Sequence, residues 1–206
     1  MTDGFIGDLT ACPDLTGVVL GVRGFERHSH FLASPFQGDV WRRPISHAVC
    51  RPNRRATAAA LAATGAKPRT ARSVAQRIVE RQQGWPDHDA PGDHCPCGLY
   101  AYHGLGDLAR HLGAHRVVAA VHAWGQLVVH PRGFRAQHMQ IVALALPNDL
   151  GDGLDVIRLA ETARRAAAWW RVPLLGLDEL RAGLREFGDP IPDELIPDDP
   201  KKEEDQ

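Results

Sequence analysis

Two long β-forming runs, residues 117–129 and 134–146, constrain this chain more than any other feature. Both are dense in branched and apolar residues. The turn chemistry of His130-Pro-Arg-Gly133 separates them, which predicts a hairpin with a four-residue loop. Gly125, inside the first run, marks a bulge or a kink. A lone hairpin is marginal in water and needs further strands or a helix against its apolar side. Residues 17–25 read as a first strand in which Gly21 and Gly24 point to a bulge or a close backbone approach. Residues 31–41 read as a strand, a turn and a packed loop, and 45–50 as a short apolar run that ends on Cys50.

Helical signals occupy the rest. Residues 106–112 predict a short helix stopped by Gly113. Asp152 can cap a helix beginning near Leu154, with Asp155 favourable in its first turn and an apolar stripe of Leu154, Ile157, Ala160, Ala163 and Ala167. Residues 172–175 read as a short strand. Asp178 then caps a last helix, with Leu180, Leu184 and Phe187 inward and Gly188 as its stop. The expectation is one α+β domain over 17–188, a mainly antiparallel sheet led by the long hairpin with helices packed on one side. Residues 1–16 form an unpatterned lead. Residues 189–206 hold repeated prolines, eight acids and two lysines, which predicts a disordered acidic tail.

The bulk properties exclude some classes. With 206 residues, 44% hydrophobic and 24% charged, and a formal charge of −1, this is an ordinary soluble composition rather than a wholesale nucleic-acid binder. The first residues lack a basic region followed by an apolar run, and no apolar segment approaches the roughly 18 residues of a membrane span. The expected location is the cytoplasm, without membrane contact. Cysteines there are normally reduced, so a clustered set reads as a metal or redox site before a disulfide frame.

Such a cluster exists. The segment His88-Asp-Ala-Pro-Gly-Asp-His-Cys-Pro-Cys-Gly98 packs two histidines and two of the four cysteines among turn formers. Structural zinc takes four thiolate or imidazole ligands in a tetrahedron. The candidate set is Cys50, His88, Cys95 and Cys97, placed at the edge of the sheet. His88 suits the site better than His94, because the residues after it leave room for the loop to curl back, whereas His94 abuts Cys95. The Cys-x-Cys spacing departs from the Cys-x₂₋₄-Cys of common zinc modules, and no second pair follows. The alternatives are two small buried thiols in a tight turn, a redox or other thiol role, and, from Cys95-Pro96 beside His94, a haem-type dipeptide. Cys12, in the lead segment, reads as an exposed thiol.

Other clusters carry weaker signals. His111 and His115 have the spacing of metal ligands on a helix, yet Gly113 intervenes and no glutamate follows the first histidine, so they read as surface residues near a helix end. His122, Trp124, Gln126 and His130 alternate onto one face of the hairpin, and His138 can join them from the second strand. That face is either a binding groove or the solvated side of a half-covered sheet. Residues 51–83 hold seven arginines and one lysine against a single acid, Glu80. They read as a basic helical hairpin inserted between Cys50 and the knuckle. Arg69, Arg72, Arg77 and Arg81 lie mostly off its apolar face, open to phosphates in a DNA- or RNA-binding reading or to the acidic tail or a partner otherwise.

Several of these residues recur in one arrangement. Ser34-Pro-Phe with Trp41, Cys50, His88-x-Ala-Pro, Cys95-x-Cys-Gly-x-Tyr-Ala101, Ala123-Trp-Gly with His130, Gly133-Phe-Arg-Ala136 and Trp170-Arg-Val-Pro173 together resemble an uncharacterised family of small actinobacterial proteins. The likeness spans residues 17–192, and the basic segment is extra length beside shorter members. It implies an architecture and a Cys/His site, and nothing about a reaction. No Gly-rich phosphate loop, nucleophile elbow or paired-carboxylate pattern stands out. The leading expectation is therefore a non-enzymatic, zinc-stabilised module that contacts a protein partner. A nucleic-acid-binding regulator and a metal- or thiol-dependent enzyme are the alternatives.

Overall fold

The structure, a computed structural model, describes residues 17–35, 40–50, 89–92, 97–110, 117–148 and 153–199. Strand β1 (Val19–His28) turns through Ser29 into β2 (Phe31–Ala33), which pairs with the short β3 (Val40–Trp41). Then come β4 (Ile45–His47), β5 (Leu99–Tyr102), helix α1 (Leu105–Ala109) and the long strands β6 (Val117–His130) and β7 (Gly133–Leu146). Helix α2 (Leu154–Trp170), β8 (Leu174–Gly176) and helix α3 (Leu177–Gly183) follow, with 3₁₀ turns at Leu184–Phe187 and Asp193–Leu195. The class is α+β, with a mainly antiparallel sheet, as the patterning predicted.

The hairpin is tighter than predicted. His130 and Gly133 pair directly, so the loop is the two residues Pro131 and Arg132. Gly125 sits at the register shift between Trp124 and Leu127 with φ of 79°, a conformation that favours glycine, and so marks the expected irregularity.

What the local patterning does not reveal is closure. β1 pairs with β6, β6 with β7, β7 with β5, and β5 returns to β1 through the Val22↔Tyr102 pair. Four strands thus form a ring. Its interior is narrow, so large and small residues must alternate across it. Gly21 illustrates this: a Cβ there would lie 2.6 Å from Phe134 Cζ and 3.0 Å from Ala101 Cβ. The close approach inferred from the glycine is that of the Phe134 ring.

The expectation that helices pack on one side is corrected. Val19 and Phe25 of β1 belong to a core with Phe134, Met139 and the α2 residues Leu159, Ala160, Ala163 and Ala167. Leu20 and Val22, which point to the opposite face, pack with Leu108 of α1 and Leu180 of α3. Both parity sets of β1 and β6 are apolar, so both faces demand cover. The stripe of α2 is also displaced. Val156, Leu159, Ala160, Ala163, Ala166 and Ala167 are buried, whereas Leu154 and Ile157 are exposed. At α3, Gly176 takes the N-cap position and donates its N–H to Glu179 Oε2 at 3.3 Å, which places Asp178 in the first turn.

The chain beyond Asp189 differs from the predicted tail as far as residue 199. Leu20 N–H donates to Asp189 O at 2.7 Å, Pro190 bridges to Leu20, and Ile191 is 1% exposed within the core. Asp199 closes the segment with an ion pair to Arg132 at 2.9 Å. Ile191 outweighs the polar composition around it, because burying one aliphatic side chain is worth about 1.5–3 kcal/mol. Residues 200–206 lie outside the described residues.

Candidate functional site

The knuckle begins with Cys50, just beyond β4, and the turn 89–92 before β5. Cys50 and Cys97 are both buried and share one small cluster with Ala90, against which Ala48 packs. The backbone of this turn is unusual: Ala90-Pro91 is cis, and Gly98 has φ of 122°. A side chain at Gly98 would meet Arg135 Cβ at 2.9 Å and Pro91 Cβ at 3.0 Å, so glycine is required here by both conformation and space. Gly92 N–H donates to Cys97 Sγ at 3.2 Å. A donor aimed at sulfur stabilises developing thiolate charge, the state in which cysteine binds metal. Of the four predicted ligands, the structure brings Cys50 and Cys97 together. His88 and Cys95 lie outside the described residues, as do Cys12, His94, His111, His115 and the arginines Arg69, Arg72, Arg77 and Arg81. Among the described residues, no group of three metal-binding side chains converges.

Arg135, on β7, holds this turn. It is 3% exposed and donates through Nη1 to Cys97 O at 2.9 Å and Gly92 O at 3.2 Å, and through Nε to His130 Nε2 at 3.2 Å. Guanidinium cannot accept a hydrogen bond, so His130 Nε2 carries no proton and the ring is the neutral Nδ1–H tautomer. Burial, then the neighbouring Arg135 charge, then His103 push its pKa down to about 4. His103 donates from Nε2 to His130 O at 2.8 Å, leaving its buried Nδ1 without a hydrogen-bond partner. Burial lowers its pKa too, opposed by that hydrogen bond and by Asp107 and Asp193. Sequence reasoning assigned no role to Arg135 or His103. The signal available for Arg135 was a charged residue inside an otherwise apolar strand, which must find buried partners.

The predicted histidine face is assembled only in part. His130 is buried at the knuckle end of β6, 3% exposed, and is not part of a solvated face. His122 donates from Nε2 to Phe187 O at 2.5 Å, which ties it to the 3₁₀ turn after α3. Trp124 and His138 are cross-strand partners with ring centroids 5.5 Å apart. His138 gains a neighbour that the patterning missed. β4 pairs with β7 so that His47 lies opposite His138, their Nδ1 atoms 2.7 Å apart and their rings edge to face. Nitrogens at that distance are within hydrogen-bond reach, and His138 is lowered from its ordinary pKa by burial and then by His47. Finding His47 requires the long-range register of β4, which no local pattern encodes.

A third polar group lies inside the core. Arg23, 3% exposed, sits 5.5 Å from both the Phe25 and Trp41 rings and donates to Ser34 Oγ at 2.8 Å and to Tyr100 O. It ties β1 to β5 and to the segment after β2.

Comparison of the chain with protein-family models, with curated proteins and with solved structures finds no match. Among the described residues, no helix is long and apolar enough to cross a membrane. The functional reading therefore rests on the chemistry of the sites above.

Proposed function

We propose that this protein is a non-enzymatic binding module of the cytoplasm whose knuckle is a structural zinc site. Cys50, His88, Cys95 and Cys97 are its ligands, and the Trp124 side of the sheet meets a protein partner. The observation that carries the reading is the burial of Cys50 and Cys97 in one cluster, although the whole 51–88 segment separates their strands in sequence. Its support is the Gly92 N–H aimed at Cys97 Sγ and the buried Arg135 that fixes both carbonyls flanking the turn. Backbone donors to a ligand sulfur and a rigid surrounding shell are what a structural metal site needs. A metal here would crosslink the end of β4 to the start of β5, and its binding free energy would be folding free energy.

The test is the metal content of the purified full chain by native mass spectrometry, beside Cys50→Ser and Cys97→Ser. One zinc per chain, lost in both variants together with thermal stability, supports the reading. A metal-free wild type, with melting unchanged in either variant, overturns it.

A further inference from the structure

A pair of histidines that the knuckle does not use stands on the exposed face of the sheet. His47 and His138 project from neighbouring antiparallel strands at directly opposed positions, and their Nδ1 atoms converge to 2.7 Å. Side chains opposed in this way keep their spacing because the ladder holds both backbones. Trp124 packs against the far side of the His138 ring at 5.5 Å and restricts its rotation. Both histidines stand at the surface, so an ion can reach the pair.

Two ring nitrogens turned toward one point are the geometry that receives a cation. Imidazole nitrogens bind zinc at about 2.0–2.1 Å, so two of them on one ion stand about 2.9 Å apart at a right angle and about 3.3 Å apart in a tetrahedron. The pair reaches that spacing by opening a few tenths of an ångström, within ordinary side-chain adjustment. We propose that His47 and His138 form a two-imidazole site for a divalent first-row transition ion, with its other positions open to water or to a donor from a partner. Imidazole suits copper, nickel and zinc, and affinity for such a site rises towards copper. Calcium and magnesium, which require oxygen ligands, do not fit.

The neighbouring indole supplies the readout. Copper(II) bound beside Trp124 quenches its fluorescence. The titration uses the full chain as purified, with every cysteine intact, so the knuckle is common to all samples. Copper(II) is added to the wild type, to His47→Ala, to His138→Ala and to Trp124→Phe. The wild type shows a saturable quench. Either histidine variant binds roughly tenfold or more weakly, since the second imidazole is otherwise held at a high effective concentration. Trp124→Phe loses the quench yet takes up as much copper as the wild type by calorimetry, with unchanged affinity. His28→Ala, an exposed histidine remote from the pair, controls for non-specific binding and leaves the titration unchanged. Identical titrations in the wild type and both histidine variants overturn the site, as does a quench equally sensitive to His28→Ala. Copper taken up by the thiols of a zinc-free knuckle is common to every sample, so the pair is read from the difference between the wild type and the histidine variants, and the two sites fail separately.

Discussion

His130 and His138 stand on facing strands of one hairpin, yet their surroundings differ in every respect that governs a histidine. His130 is buried, its acceptor nitrogen is occupied by Arg135, and its pKa is pushed down to about 4. His138 is at the surface, its partner is another imidazole, and its pKa is lowered by burial and then by His47. A fixed cation beside a buried ring leaves one protonation state and one tautomer. A second histidine beside an exposed ring leaves two ring nitrogens turned toward one accessible point. The first arrangement stabilises a turn and the second is available to a ligand.

The largest effect that would break this contrast is at Arg135. Arg135→Met leaves Gly92 O, Cys97 O and His130 Nε2 without their donor in a buried site, and should cost about 3–5 kcal/mol in chemical denaturation. A loss below about 1 kcal/mol would mean that the turn does not depend on this residue. The next test is pH. The folded pKa of His130 is below the ordinary 6.5, so the unfolded chain binds the proton more tightly. The stabilisation is complete above 6.5 and is lost as pH falls from 6.5 towards about 4, by on the order of 2–3 kcal/mol. His103, lowered by burial, adds in the same direction. His130→Gln should flatten that part of the stability–pH curve, and an unaltered slope would assign the loss to other groups.

Smaller effects sharpen the comparison. Gly98→Ala forces a side chain into a φ of 122° and against Arg135 and Pro91, for a cost of about 2 kcal/mol by thermal melting. On the exposed side, His47→Ala should change stability by less than about 1 kcal/mol, as surface pairs do. It should also raise the His138 pKa towards its ordinary value, read from the ring proton shifts in an NMR titration. A drop of several kcal/mol on His47→Ala would show that the pair is a structural element rather than an available one.

Much of the fold was legible because the apolar runs are long. The 117–146 hairpin, the bulge at Gly125 and the final helices follow from periodicity and turn chemistry within the segments themselves. The pairing of Cys50 with the Cys97 turn was also readable, since soft donors and tight turns are scarce enough to single each other out. The stripe of α2 was misread because alanines fill several of its faces, and a pattern of small residues fixes the helix phase weakly. The tail was misread because composition averages over a segment, and a single side chain, Ile191, decides whether it docks.

The residues alone determined the class of the domain and its central hairpin, and pointed to the nearness of Cys50 and Cys97, since these depend on propensity, periodicity and donor type along short stretches. Only the tertiary structure decided the ring closed through Val22 and Tyr102, the cover of both sheet faces, and the separation of the histidines into a buried pair and an exposed one. Those depend on register between strands far apart in the chain. A one-residue slip in register exchanges the two faces of a strand, and the energy that selects among registers comes from packing of the whole core rather than from any local run.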